Sequence, residues 1–188
     1  MTKLSFKSFI LLFFMLPMIS LASSQWKVIP DRSSLSFIAT QNNSPVSGEF
    51  KTYTAQIDFD PAHLKTSRIQ VNVDMNSVST SYDEVEQTLK TADWFNVKLF
   101  PEAVFKTTSI TKLGNNIYLA DGNLTLRDKI IPISFPFTLA IKNKIAEANG
   151  VVTLKRTQFG VGQNDWAKTD VIKNDVKVKF HIFADQLP

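Results

Sequence analysis

Few residues in this chain have the chemistry of a catalyst. Across 188 residues there are two histidines and no cysteine. His63 follows Asp60-Pro61 in a turn-like stretch, and His181 lies between Phe180 and Ile182 in an alternating segment that turns it outward. Neither sits in a helical pattern that would turn a carboxylate to the same face, so a zinc site is not supported. Asp58 with Asp60, and Asp83 with Glu84, are carboxylate pairs by proximity. They read as a solvated turn and as the acidic first turn of a helix, where negative charge is favoured. Gly160-Val161-Gly162 lacks the third glycine and the following helix that a dinucleotide loop needs. The residues point away from catalysis, metals and cofactors.

The elements available to position any site are strands. Ile69, Val71, Val73 and Met75 are odd, as are Ile131, Ile133, Phe135, Phe137, Leu139 and Ile141. Tyr118, Ala120, Gly122, Leu124 and Leu126 are even, as are Val176, Val178, Phe180 and Ile182. Side chains alternate faces along a strand, so each segment turns an apolar face inward and a polar face to water. Many such strands in one short chain predict an all-β closed barrel or sandwich. The apolar parity slips between Lys51 and Thr54, which predicts a bulge or bend. Ser81 with Glu84 matches a capping box, so one helix is expected from Tyr82 to about Lys90, with Val85 and Leu89 facing the barrel. Pro132 and Pro136 fall on the polar side of an apolar strand and predict a bulge or a locally unpaired edge.

The N-terminus belongs outside this scheme. Lys3 and Lys7 precede an apolar run over residues 9–19, and Ser20-Leu21-Ala22 offers small residues at a cleavage site. Residues 1–22 read as a signal peptide cleaved after Ala22, giving a periplasmic or secreted protein. The apolar run is short of the roughly 20 residues of a membrane span, so no stable span is expected after cleavage. Residues 23–188 suit a single domain. They are close to charge balance and carry no basic stripe interleaved with aromatics, so no nucleic-acid partner is expected.

The apolar side holds more. Ala120 and Gly122 on one strand, and Ala146, Ala148 and Gly150 on another, are small core-face residues opposed by Phe37, Phe105, Phe135 and Phe137. That volume is filled either by the large neighbours or by a ligand; an eight-stranded barrel is near the size at which both are feasible. Trp94, Phe95, Phe159 and Trp166, aromatics in connecting segments, would plug the barrel ends or line an entrance.

Several stretches stand out by their order and spacing. They include Gly48-Glu49-Phe50, Ile57-Asp58-Phe59-Asp60-Pro61, and Val73-Asp74-Met75-Asn76-Ser77-Val78-Ser79-Thr80. Ala92-Asp93-Trp94-Phe95-Asn96 leading to Phe100-Pro101-Glu102-Ala103-Val104-Phe105 is the most specific. Gly122-Asn123-Leu124-Thr125-Leu126-Arg127-Asp128 and Arg156-Thr157-Gln158-Phe159-Gly160-Val161 complete the set. Together, in this order, they resemble the YceI-like family, which implies a lipocalin-like, eight-stranded antiparallel barrel with one short helix after the strand ending at Met75. The resemblance further implies a non-enzymatic carrier for an isoprenoid, such as a quinone tail or prenyl phosphate, and is compatible with a homodimer. The expected wall is Phe37, Phe50, Phe59, Val73, Met75, Phe105, Leu124, Phe135, Phe137 and Val152, with Trp94, Phe95 and Phe159 near the mouth. Arg156 is the cation expected to meet an anionic head group; Arg127 and Lys129 read as solvated turn residues. Two other readings stand beside this one: a stress-related interaction module with a packed barrel and no ligand, and a head-group enzyme using Arg156, Asp165 and His181.

Overall fold

The structure, a computed structural model, describes residues 24–188. The expected signal peptide, residues 1–22, lies outside the described residues. The strands are β1 (Gln25–Val28), β2 (Ser34–Gln41), β3 (Ser44–Phe50), β4 (Tyr53–Asp58), β5 (Arg68–Asp74) and β6 (Val78–Thr80), followed by helix α1 (Asp83–Lys90). Then come β7 (Glu102–Gly114), β8 (Ile117–Leu126), β9 (Lys129–Lys142), β10 (Ile145–Lys155) and β11 (Asp175–Gln186). Every pairing is antiparallel, and the tight connections use left-handed residues such as Asn116, Asn143 and Lys144.

Eight strands form a closed ring in the order β1-β4-β5-β7-β8-β9-β10-β11, because β1 pairs back onto β11. The expected barrel is therefore present. It is complete at one end only. β11 pairs with β1 near Ala184 and Gln186, but with β2 from Lys177 to His181. β2 carries β3 and β6 with it, so the wall at the other end parts into β10-β11-β2-β3-β6 on one side and β4-β5-β7-β8-β9 on the other.

The parity slip after Phe50 marks this division. It is the bend of the two expected forms, at Lys51: β3 pairs with β2 and β6, whereas β4 pairs with β1 and β5, and the Lys51 N–H to Ser77 and Asp74 N–H to Thr52 bonds carry the ladder across it. A true irregularity lies in β7, where the register with β8 shifts between Thr107 and Ser109 and moves the inward parity from Ala103 to Ile110.

The core has two parts. Trp26, Phe59, Ile110, Tyr118, Phe135, Phe137 and Leu139 fill the complete end, where Trp26 Nε1 donates to the Phe59 carbonyl at 2.9 Å. Phe37, Met75, Val78, Leu89, Trp94, Phe95, Phe159 and Val161 fill the split end, and α1 contributes Val85 and Leu89 as expected. The start of α1 differs from the capping-box reading. Tyr82 is the N-cap residue, without a side-chain cap, and Thr80 Oγ1 instead bonds the Tyr82 backbone.

Candidate functional site

The expected ligand-wall residues divide between the two core parts. Phe37, Met75, Trp94, Phe95 and Phe159, with Phe50, Val73 and Leu124 packed against them, gather at the split end. Phe59, Phe135 and Phe137, with Phe105 and Val152, belong to the complete end. Phe59 and Phe137 stack around Tyr118 with centroids 5.6 and 5.5 Å away, so they plug that end rather than line a passage.

The small-residue faces are occupied by protein. A Cβ added at Gly48 would strike the Phe37 ring, one at Gly150 the Phe180 ring, and one at Gly122 the Phe105 ring at 2.5 Å. Gly48 and Gly150 stand directly opposite their phenylalanines in register. Each glycine is thus a slot that a neighbouring strand's ring fills.

Towards the split end the filling is incomplete. Leu124, Leu126, Ile131, Ile133, Val152, Leu154, Val176 and Val178 all point inward and pack on the core, yet each retains solvent access. Apolar side chains on the inner face of a fully packed barrel would be buried. These residues belong to β8, β9, β10 and β11, and they line one continuous strip of the interior.

The roof over this strip is built by two buried arginines. Arg156 is 3% exposed and all five of its N–H donors meet backbone carbonyls. Nε donates to Lys173 at 3.1 Å, Nη1 to Val161 at 2.9 Å and Gly162 at 3.3 Å, and Nη2 to Lys168 at 2.8 Å and Ile172 at 2.9 Å. Burial draws its pKa below the usual arginine value, although the group stays charged. The loop wraps the guanidinium tightly: Gly162, at φ +80°, has no room for a Cβ beside Nη1. The Trp94 ring lies 5.8 Å from the same guanidinium and 5.7 Å from Trp166.

Two expectations are corrected here. Arg156 has no donor left for an anionic head group; it clamps the loop that follows β10. Arg127 is not a solvated turn residue but is 8% exposed, donating through Nη1 to the carbonyls of Ala92, at 2.9 Å, and Trp94. It adopts φ +55° in a two-residue hairpin loop. Finding Arg-Asp in such a loop instead of Asn-Gly was the available hint that its side chain matters more than the local strain. Lys129 is exposed and pairs with Asp128 at 2.9 Å, as read.

The residues of the enzymatic reading do not meet. His181 lies on the outer wall, in register with Ser34 and Asn149, and contacts Glu147 at 2.9 Å. Asp165 is exposed, and Arg156 is enclosed by its loop.

A half-plugged, half-accessible barrel with an arginine-pinned roof sets the geometry against known proteins. The YceI-like domain profile matches residues 26–184. The chain belongs to the YceI-like family. Among curated relatives, protein YceI from Salmonella arizonae is 33% identical over 87 residues, 46% of this chain and 45% of that protein. A UPF0312 protein from Vibrio cholerae is 30% identical over 90 residues, 48% of each chain. The chain spans about half the length of the curated relatives it matches. The solved structure of BcnA from Burkholderia cenocepacia aligns with TM-score 0.80 and 31% identity, over 83% of this chain and 98% of that one. A polyisoprenoid binding domain from Saccharophagus degradans shares the fold, with TM-score 0.66 and 15% identity over 86% and 98% of the two chains.

Proposed function

We propose that this YceI-like protein is a periplasmic, non-enzymatic carrier that holds the apolar tail of an isoprenoid-type lipid inside the split end of the barrel. The observation that carries the reading is the strip of inward-facing but accessible residues from Leu124 to Val178. The fold shared with a polyisoprenoid binding domain supports the same ligand class. Burying about ten methylene-sized units there contributes on the order of 8 kcal/mol before ordering costs. That gross figure corresponds to roughly micromolar binding, so the tail alone suffices and no charged contact from Arg156 is needed.

Solvent extraction of the exported protein followed by mass spectrometry should recover a long-chain isoprenoid. Titration with long-chain ubiquinone should change Trp94 fluorescence. Repeated recovery of protein without lipid, together with no response to added quinone, would exclude the carrier.

A second reading, a packed interaction module, is favoured by the rings that fill Gly48, Gly122 and Gly150. Val178→Phe, on the accessible strip at the split end, separates the two. It weakens lipid binding with little loss of stability in a carrier, and destabilises strongly in a packed barrel.

A further inference from the structure

β9 and β10 are joined by a hairpin, yet they pair only from Phe137 to Lys142 against Ile145 to Gly150. Beyond that point β9 stays bonded to β8 down to Lys129, and β10 to β11 up to Lys155. The two strands part, leaving a slot in the wall between residues 129–136 and 151–155.

The sequence explains where the ladder stops. The hairpin joins Lys142 to Ile145, so even residues of β9 turn their N–H groups towards β10. Odd residues turn towards β8, as the Leu139 N–H bond to the Asn116 carbonyl shows. Continuing the register, the next bonded pairs would be Pro136 with Val151, Ser134 with Thr153, and Pro132 with Lys155. Proline has no N–H, so the first and third of these pairs cannot form in full. The ladder ends one step before the first proline.

The slot opens onto the accessible strip. Ile131 and Ile133 on one side, and Val152 and Leu154 on the other, are inward-facing and half-buried. Its outer lips carry Ile130, 67% exposed, and Val151, 47% exposed. A surface depression of about 480 Å³ lies at its foot, lined by Thr138, Asn149, Gly150 and Val151 with residues of β11 and β2. On the other side of the split end, α1 packs against β6, and the segment carrying Trp94 and Phe95 joins the same core.

We propose that the lipid chain enters and leaves the barrel sideways, through the slot that Pro132 and Pro136 keep from zipping shut. This rests on the carrier reading. It deepens that reading by naming the ligand class: long apolar chains whose head groups are too large to pass through the barrel, because the head need never enter. The clamped roof then has no need to open.

Two variants test it. Pro132→Thr with Pro136→Thr restores both donors at exposed positions and leaves the core untouched. Ser134→Cys with Thr153→Cys, bridged by a short bis-maleimide, ties the lips covalently; the chain has no cysteine of its own to interfere. Binding of long-chain ubiquinone is followed by stopped-flow tryptophan fluorescence, with the unbridged cysteine pair as control. Bridging should slow association and dissociation by about tenfold or more while Kd moves less than about threefold, since a blocked route changes rates and not the equilibrium. The threonine pair should protect the amides of Val151 and Thr153 from hydrogen exchange and slow lipid exchange in parallel. Unchanged rates in the bridged protein overturn the lateral route while leaving the carrier intact. A parent protein that binds no quinone removes the carrier reading, and this proposal with it.

Discussion

Replacing Arg156 with alanine takes a fully occupied guanidinium out of the loop after β10. Three of its acceptors, the carbonyls of Val161, Gly162 and Ile172, sit in buried bonds. An orphaned buried acceptor costs about 1–3 kcal/mol. Water entering the vacated space recovers part of that. The net loss should be about 3–5 kcal/mol, at the upper end for a single substitution. Arg156→Lys should lie between, because an ammonium supplies three donors from one point where the fork supplies five. Urea unfolding, read by tryptophan fluorescence, gives the number, and Trp94 beside the guanidinium reports the local change. A loss below about 1 kcal/mol, with Trp94 emission unchanged, would refute the clamp. Anionic prenyl phosphate binding that collapses in a fully stable Arg156→Lys variant would restore the head-group role.

Three further outcomes are expected. Gly150→Ala should destabilise by about 1–3 kcal/mol through collision with the Phe180 ring, and adding Phe180→Leu should recover part of it; additive losses in the double mutant would count against the ring-in-slot packing. Trp26→Phe should cost about 1–3 kcal/mol by leaving the Phe59 carbonyl unpaired, measured by thermal unfolding. The Asp60 carboxyl is held below its ordinary value by the His63 side chain at 2.8 Å and the Ala62 amide. A depressed folded pKa gives stability above the unfolded value that is lost as pH falls below about 4. Asp60→Asn should flatten that acid limb, and an identical slope in both proteins would exclude the pairing.

The barrel was legible because alternation is a local property. The odd and even sets of β5, β8, β9 and β11 follow from the strand period alone. The bend after Phe50 was visible only as a change of parity; sequence does not say whether a slip bulges a strand or bends it from one pair of neighbours to another. The two arginines were misread for a related reason. Their partners are backbone carbonyls: the distant Ala92 and Trp94 for Arg127, and residues 161–173 of the following loop for Arg156. No side-chain pattern announces a backbone acceptor. The glycines were ambiguous in a different way, since a small residue records vacant volume but not what occupies it. The prolines were read as either a bulge or a locally unpaired edge; only the structure, through their registration with β10, selects the second.

The ring is sealed by its last strand. β11 bridges β10, β2 and β1, so Gln186 meets Trp26 across nearly the whole contour of the chain. A polypeptide threaded through a translocation channel from its N-terminus could not latch this cylinder until the final dozen residues had emerged. Such wiring postpones tight assembly until β11 supplies the closing stave.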